Sequence, residues 1–237
     1  MSQPQQPSPY RAVLLDVDGT LVDSNEAHIQ AWVEALAEHG IDVPSERIRS
    51  LVGMGGDNLL PAAVGIEKDS PQGEAIAERR GEIFRSRYLP HIRPFPAVRP
   101  LLERMRAAGL ELAVASSSPA EEMKPLLERA GVSDLIGDTA SGSDAERSKP
   151  DPDIVHAALR KIGRRSEEAL LLGDTPYDIQ AAGKAGVGVI ALRCGGFSDE
   201  DLHGALAIYD DAADLLAGFD ESPLGARQSS RKTAQRS

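Results

Sequence analysis

Between residues 97 and 192 the chain repeats one pattern: a helical stretch closed by glycine, then a short apolar run that ends in polar residues. Helical stretches over 97–108, 120–130, 152–162 and 176–185 are followed by Gly109, Gly131, Gly163 and Gly186. Glycine closes a helix in the left-handed conformation at the lowest steric cost. Runs over 110–115, 169–173 and 187–192 are short, Leu- and Val-rich and flanked by turn residues, which predicts strands; a weaker strand falls near 135–139. The run at 12–17 has the same character. Strands separated by helices do not pair as hairpins and instead form a parallel sheet covered on both faces. The expected fold class is α/β, with a doubly wound parallel-sheet core.

Residues 25–92 break that pattern. Ile29, Trp32, Val33 and Leu36 follow the i, i+3, i+4, i+7 rule and predict a helix over 25–40. Ile76, Ile83, Phe84 and Tyr88 share one face of a second helix over 74–89. Between them a glycine-rich loop, Gly53-Met54-Gly55-Gly56, precedes a short apolar segment. The expected organisation is a discontinuous core, 10–23 and 97–218, with a small α-helical domain inserted at 24–96. The polar, proline-rich 1–9 and the Ser-, Gln- and Arg-containing 219–237 are expected to be flexible tails.

In an open parallel sheet, ligands bind beyond the carboxyl ends of the strands. Several expected strands end there in reactive side chains. The first ends in Asp16 and Asp18, two residues apart and so on one side of the chain. Two close carboxylates repel unless a cation lies between them or one carries a proton. Another strand ends in Ser116, followed by Ser117. Lys149 precedes a helix, and a further strand ends in Asp174 with Asp178 one helical turn later. Each has a blander reading: Ser116 as a helix cap, Lys149 as a solvated side chain, Asp174 as an N-cap beside Thr175. Four such endings on one rim are poorly explained by turn chemistry alone.

Composition narrows the chemistry. A formal net charge of −11 and 4% aromatic residues disfavour nucleic acid and acidic membrane as partners. Anionic substrates stay open, because a bound divalent cation inverts the local field. Cys194 is the only cysteine, which excludes an intrachain disulfide and a cysteine zinc site and suits a reducing compartment. With no apolar run long enough to span a bilayer and no secretory signal pattern, a cytoplasmic location is expected.

Asp16-Val17-Asp18-Gly19-Thr20, Ser116 after an apolar strand, Lys149-Pro150, and Gly173-Asp174 with Asp178 resemble, in order and spacing, the four motifs of the haloacid dehalogenase superfamily of phosphotransferases. The resemblance covers about 12–217 and implies a Rossmann-like core with an inserted helical cap. Its nearest branches by pattern are phosphoglycolate-phosphatase-like and β-phosphoglucomutase-like. It implies a magnesium-dependent phosphatase acting on a small phosphorylated metabolite. Asp16 is then the nucleophile that forms an aspartyl-phosphate, and Asp18 is general acid and then general base. The metal is held by Asp16, the main-chain carbonyl of Asp18 and Asp174, with Asp178 behind them. Ser116, Ser117 and Lys149 bind the phosphoryl group. Crowding by Asp16 and the phosphate is expected to raise the pKa of Asp18.

The insert bears on substrate. His28, one helical turn from Trp32, matches a His and Trp pair of the mutase branch and is a candidate substrate contact. Arg49 is the expected cation for a second anionic group. Lys68 is the sole lysine of 24–96; the phosphonatase branch uses a cap lysine, but Lys68 lies in a polar, turn-like stretch. The presence of Asp18 departs from the dehalogenase branch. Two features favour hydrolysis over a sugar-phosphate mutase: no basic residue in 52–56, and Gly173 where the mutase branch has glutamate. A non-catalytic ligand-binding module is the remaining alternative.

Overall fold

The computed structural model describes residues 8–225. Residues 1–7 and 226–237, most of the two expected tails, lie outside the described residues. Six parallel strands form one sheet in the order β3-β2-β1-β4-β5-β6. They are β1 Ala12–Leu15, β2 Glu111–Ala115, β3 Asp138–Ala140, β4 Ala169–Gly173, β5 Gly188–Leu192 and β6 Ala207–Tyr209. β6 is absent from the sequence-based reading; three half-buried residues are too few to display a period.

The α/β, doubly wound class holds because every central strand buries both faces. In β1, Val13 and Leu15 join one core with Val114, Leu170 and Leu172. Ala12 and Leu14 join a second core with Ala115 and Leu171. Helices α5 Val98–Ala107, α6 Ala120–Ala130 and α9 Ala212–Ala217 contribute Leu101, Leu126 and Leu215 to the first. Helices α7 Asp153–Ile162 and α8 Pro176–Lys184 contribute Ile154, Ala158 and Ala181 to the second. From β1 the order runs one way to β2 and β3 and the other way to β4, β5 and β6. The carboxyl ends of β1 and β4 therefore flank the topological switch point, where the sheet leaves a crevice.

Between β1 and α5 the chain forms α1 Asn25–Glu38, α2 Ser45–Arg49, α3 Gly56–Val64 and α4 Pro71–Ile83, the last running on as a wider turn over Phe84–Tyr88. The periodic residues Ile29, Trp32, Leu36, Ile76, Ile83 and Phe84 are all buried. The chain enters and leaves this segment side by side: Val22 bridges Pro94, and the Asp23 amide donates to the Arg93 carbonyl at 2.9 Å. At the other end, ordered packing runs past 218. Phe219 and Leu224 are buried in the first core, so this part of the expected tail is anchored by apolar burial. No helix of the described residues is long and apolar enough to cross a membrane.

Candidate active site

The ladder carries Asp16 one residue beyond β1, its amide donating to the Leu172 carbonyl at 2.9 Å. Asp16 is 4% exposed. Asp174 follows β4 and Asp178 lies in the first turn of α8, both buried. These three aspartates each present a carboxylate oxygen, all within 4.8 Å of one another. The Lys149 ammonium, 1% exposed, lies 2.6 Å from Asp16 Oδ1 and 2.7 Å from Asp178 Oδ1. Neutral donors hold both oxygens of Asp174 and the second oxygen of Asp178. Thr20 Oγ1 and Asn25 Nδ2 donate to Asp174 at 2.7 and 2.9 Å. The amide and hydroxyl of Thr175 donate to Asp178 Oδ2 at 3.0 and 2.7 Å, part of a capping box that starts α8.

Three buried acids against one ammonium leave negative charge uncompensated. Burial, with repulsion from Asp178 and Asp18, raises the Asp16 carboxyl to about 7 despite Lys149. Burial and repulsion from Asp16 and Asp178 push Asp174 well above the carboxylate range. Burial alone would lower the Lys149 pKa, but Asp16 and Asp178 outweigh it and raise it. A hard divalent cation with oxygen ligands supplies the missing positive charge, so the donor set fits magnesium. Space is fitted as closely: Gly19 has φ +73°, and a Cβ there would stand 2.1 Å from Asp174 Oδ2.

Asp18 faces the other way. Its Oδ1 accepts from Ser24 Oγ at 2.6 Å and lies 2.7 Å from His28 Nε2, and its Oδ2 accepts from Ser118 Oγ. Burial would raise this carboxyl, but His28 and the hydroxyls of Ser118 and Ser24 outweigh it and hold Asp18 well below the usual range. The rise expected from crowding by Asp16 is therefore outweighed. Proximity in sequence to Asp16 counts for less than three donors that ionised Asp18 alone can satisfy.

His28 stacks on Phe84 with centroids 4.1 Å apart, and its Nδ1 accepts from Arg80 Nη2. Arginine has only donors, so Nδ1 is bare and Nε2–H points at Asp18. Arg80 is itself paired through Nη1 with Glu122 of α6, at 2.8 and 3.1 Å to the two oxygens. Glu122 is fully buried. A chain of contacts thus runs from the core helix α6 through the inserted helices to Asp18.

A cavity of about 300 Å³ lies between the strand ends and the insert. Asp16, Asp18, Ser116 and Ser117 line it, as does His28. Ser116 Oγ accepts from the Ser118 amide at 3.1 Å, and Ser117 Oγ accepts from the Lys149 amide at 3.3 Å. Lys149, Asp174 and Asp178 sit behind this lining. Both ring nitrogens of His28 are engaged, so it meets the cavity as the orienter of Asp18. Arg49, expected to face a second anion, instead pairs with Glu26 at 2.6 Å on the surface and lines a separate depression. The loop before α3 closes on the core: a Cβ on Gly53 would meet Thr175 at 2.6 Å, and Asn58 Nδ2 donates to the Ser148 carbonyl at 3.0 Å.

Sequence reasoning overlooked Ser24, Asn25, Ser118, Arg80 and Glu122. Ser118 stood in the Ser-Ser-Ser run and Asn25 opened a helix, which were faint signals. Arg80 and Glu122 read as ordinary charged helix residues.

The family model for haloacid dehalogenase-like hydrolases matches residues 13–192. The chain is 31% identical over 220 residues to N-acetylmuramic acid 6-phosphate phosphatase of Pseudomonas aeruginosa, covering 90% of this chain and 96% of that protein. It is 33% identical over 215 residues to phosphoglycolate phosphatase of Rhodospirillum rubrum, covering 86% and 89%. The crystal structure of a hydrolase from Pseudomonas syringae superposes with a TM-score of 0.84 at 30% identity, covering 89% of this chain and 98% of that one.

Proposed function

Because this chain belongs to the haloacid dehalogenase-like hydrolases, we propose that it is a magnesium-dependent phosphatase of a small phosphomonoester. The observation that carries the reading is the division of labour between two aspartates two residues apart. Asp16 lies in a buried, electron-rich cluster with Lys149, and Asp18 lies in a separate cage of hydrogen-bond donors. The first arrangement suits attack on phosphorus and the second suits proton transfer. The named relatives act, by their names, on N-acetylmuramic acid 6-phosphate and phosphoglycolate, both phosphorylated carboxylic acids.

In the first step an Asp16 oxygen attacks phosphorus, the bond to the leaving oxygen breaks, and Asp18 gives that oxygen its proton. In the second, water attacks phosphorus, its proton passes to Asp18, and the Asp16–phosphoryl bond breaks to free inorganic phosphate. Asp16, the Asp18 main-chain carbonyl and Asp174 would hold the metal, with Asp178 behind them. When bound, magnesium neutralises charge on the phosphoryl oxygens and lets two anions meet. Ser116 and the Ser117 amide orient the phosphoryl group, and Lys149 favours the ionised form of Asp16 and aims it. The closed arrangement, with Asp18 ionised beside His28, suits the base half of the cycle.

Helices α1–α4 act as a cap whose closure excludes bulk water. Hydrolysis is favoured over a mutase by Gly173: a Cβ there would stand 2.6 Å from the Asp178 carboxyl carbon, so glutamate would require the Asp178 side chain to shift. The lone cysteine suits the reducing cytoplasm as its place of work. The test is phosphate release from a panel of phosphomonoesters with magnesium and with excess chelator. Release that depends on magnesium supports the reading; release that survives the chelator unchanged, or none from any member, overturns it.

A further inference from the structure

The roof of the cavity, contributed by the inserted helices, has an unbalanced chemistry. Trp32, Met54, Leu59 and Ala77 present apolar surface. Arg80 also lines it; its Nη1 and Nη2 are taken by Glu122 and His28, but its buried Nε has no hydrogen-bond partner among the described residues. Lys68 lines it as well, and although Glu67 and Asp69 flank it in sequence, no ion pair or hydrogen bond engages its ammonium among the described residues. The acids lining the cavity, Asp16 and Asp18, both lie on the floor.

An uncommitted cation and no acidic side chain on the roof make a poor receptor for a leaving group that bears only hydroxyls. Each hydroxyl donates as well as accepts and needs an acceptor in return. A carboxylate only accepts, and once screened from water it requires an opposing charge. Glu122 already neutralises Arg80, so Lys68 supplies one unit of positive charge, which matches a carboxylate and falls short of a second phosphate dianion. Resting on the phosphatase reading, we infer that the leaving group carries a carboxylate, read by the Lys68 ammonium. Lys68 is on this account the residue that sets specificity, while phosphoryl transfer belongs to the floor.

Two matched pairs test this with the full chain and magnesium. One is 2-phosphoglycolate against 2-hydroxyethyl phosphate; the other is N-acetylmuramic acid 6-phosphate against N-acetylglucosamine 6-phosphate. The wild-type chain is expected to prefer the carboxylate member of at least one pair in kcat/KM. Lys68→Met is expected to shrink that preference by roughly 10- to 100-fold, chiefly through KM of the carboxylate member, and Lys68→Arg to restore most of it. Equal losses on both members, an unchanged preference in Lys68→Met, or no carboxylate preference in the wild type overturns the assignment. p-Nitrophenyl phosphate separates the two claims: turnover of it without a carboxylate preference sinks only the Lys68 assignment. No phosphate from any of the five sinks the phosphatase reading and this inference with it.

Discussion

Lys149 stands 133 positions from Asp16 along the chain, yet its ammonium lies 2.6 Å from the Asp16 carboxylate, with both side chains almost fully buried. The pair exists because the loop before α7 folds over the strand ends, where the Asn58 side chain and Ser117 hold its backbone. Removing the ammonium leaves three acids facing one another. Lys149→Met is therefore expected to cost about 3–5 kcal/mol of stability without metal. Magnesium should recover part of it. Urea unfolding with magnesium and with chelator measures both, and a loss under about 1 kcal/mol in chelator would sink the charge-balance account.

Asp16→Asn is expected to abolish turnover and leave the fold intact. It also isolates a pH effect. The Asp16 pKa is raised to about 7 by burial and by repulsion from neighbouring acids. A carboxyl with a raised folded-state pKa contributes stability that is present below its unfolded pKa and lost as pH rises through the folded value. In chelator, wild-type stability relative to Asp16→Asn should therefore fall between about pH 4 and pH 7. Paired thermal melts across that window read it; a flat or rising difference contradicts the assignment.

His28→Asn removes one donor to Asp18 and the acceptor of Arg80. Loss of a positioned acid–base partner is expected to lower kcat by roughly 100-fold, with KM changing less. Asp18 is held low partly by His28, so the acidic limb of the kcat profile should move to higher pH in the variant. Stabilisation by magnesium should persist, because among the described acids of the site only Asp18 hydrogen-bonds the imidazole, and it is not one of the three clustered aspartates. A limb that stays in place argues against His28 as the orienter.

Gly19→Ala tests the close packing beneath the metal cluster. The backbone at Gly19 is left-handed, which costs a substituted residue about 1–3 kcal/mol. The new methyl would also stand 2.1 Å from Asp174 Oδ2. Activity should fall more than stability alone explains, with a raised magnesium requirement. Wild-type magnesium dependence in this variant would show that Asp174 has more freedom than its surroundings suggest.

Much of the fold was legible in the chain, for a local reason. The short apolar run at 12–17 and the glycine-closed helices after 97 are patterns of a few residues, and they predict parallel strands with helices on both faces. The short α2 and β6 escaped because neither is long enough to carry a period. Among site residues, Asp16, Asp174 and Asp178 could be brought together by reasoning, because strand ends in a parallel sheet share one rim. Arg49 was misread because nearness to a loop in sequence says nothing about which side of a helix meets the cavity.

By itself, then, the sequence determined the α/β plan, the rim on which the aspartates meet, and the need for a cation or a proton among them. These follow from chain periodicity and from repulsion between like charges. Tertiary structure alone decided that Asp18 is ionised in a cage of donors, that Arg80 and Glu122 tie the inserted helices to the core, and that Lys68 faces the cavity. Those outcomes depend on partners drawn from distant elements, up to 100 residues away for Ser118 and Asp18. Hydrogen-bond direction and the balance of burial against charge exist only once the elements have packed.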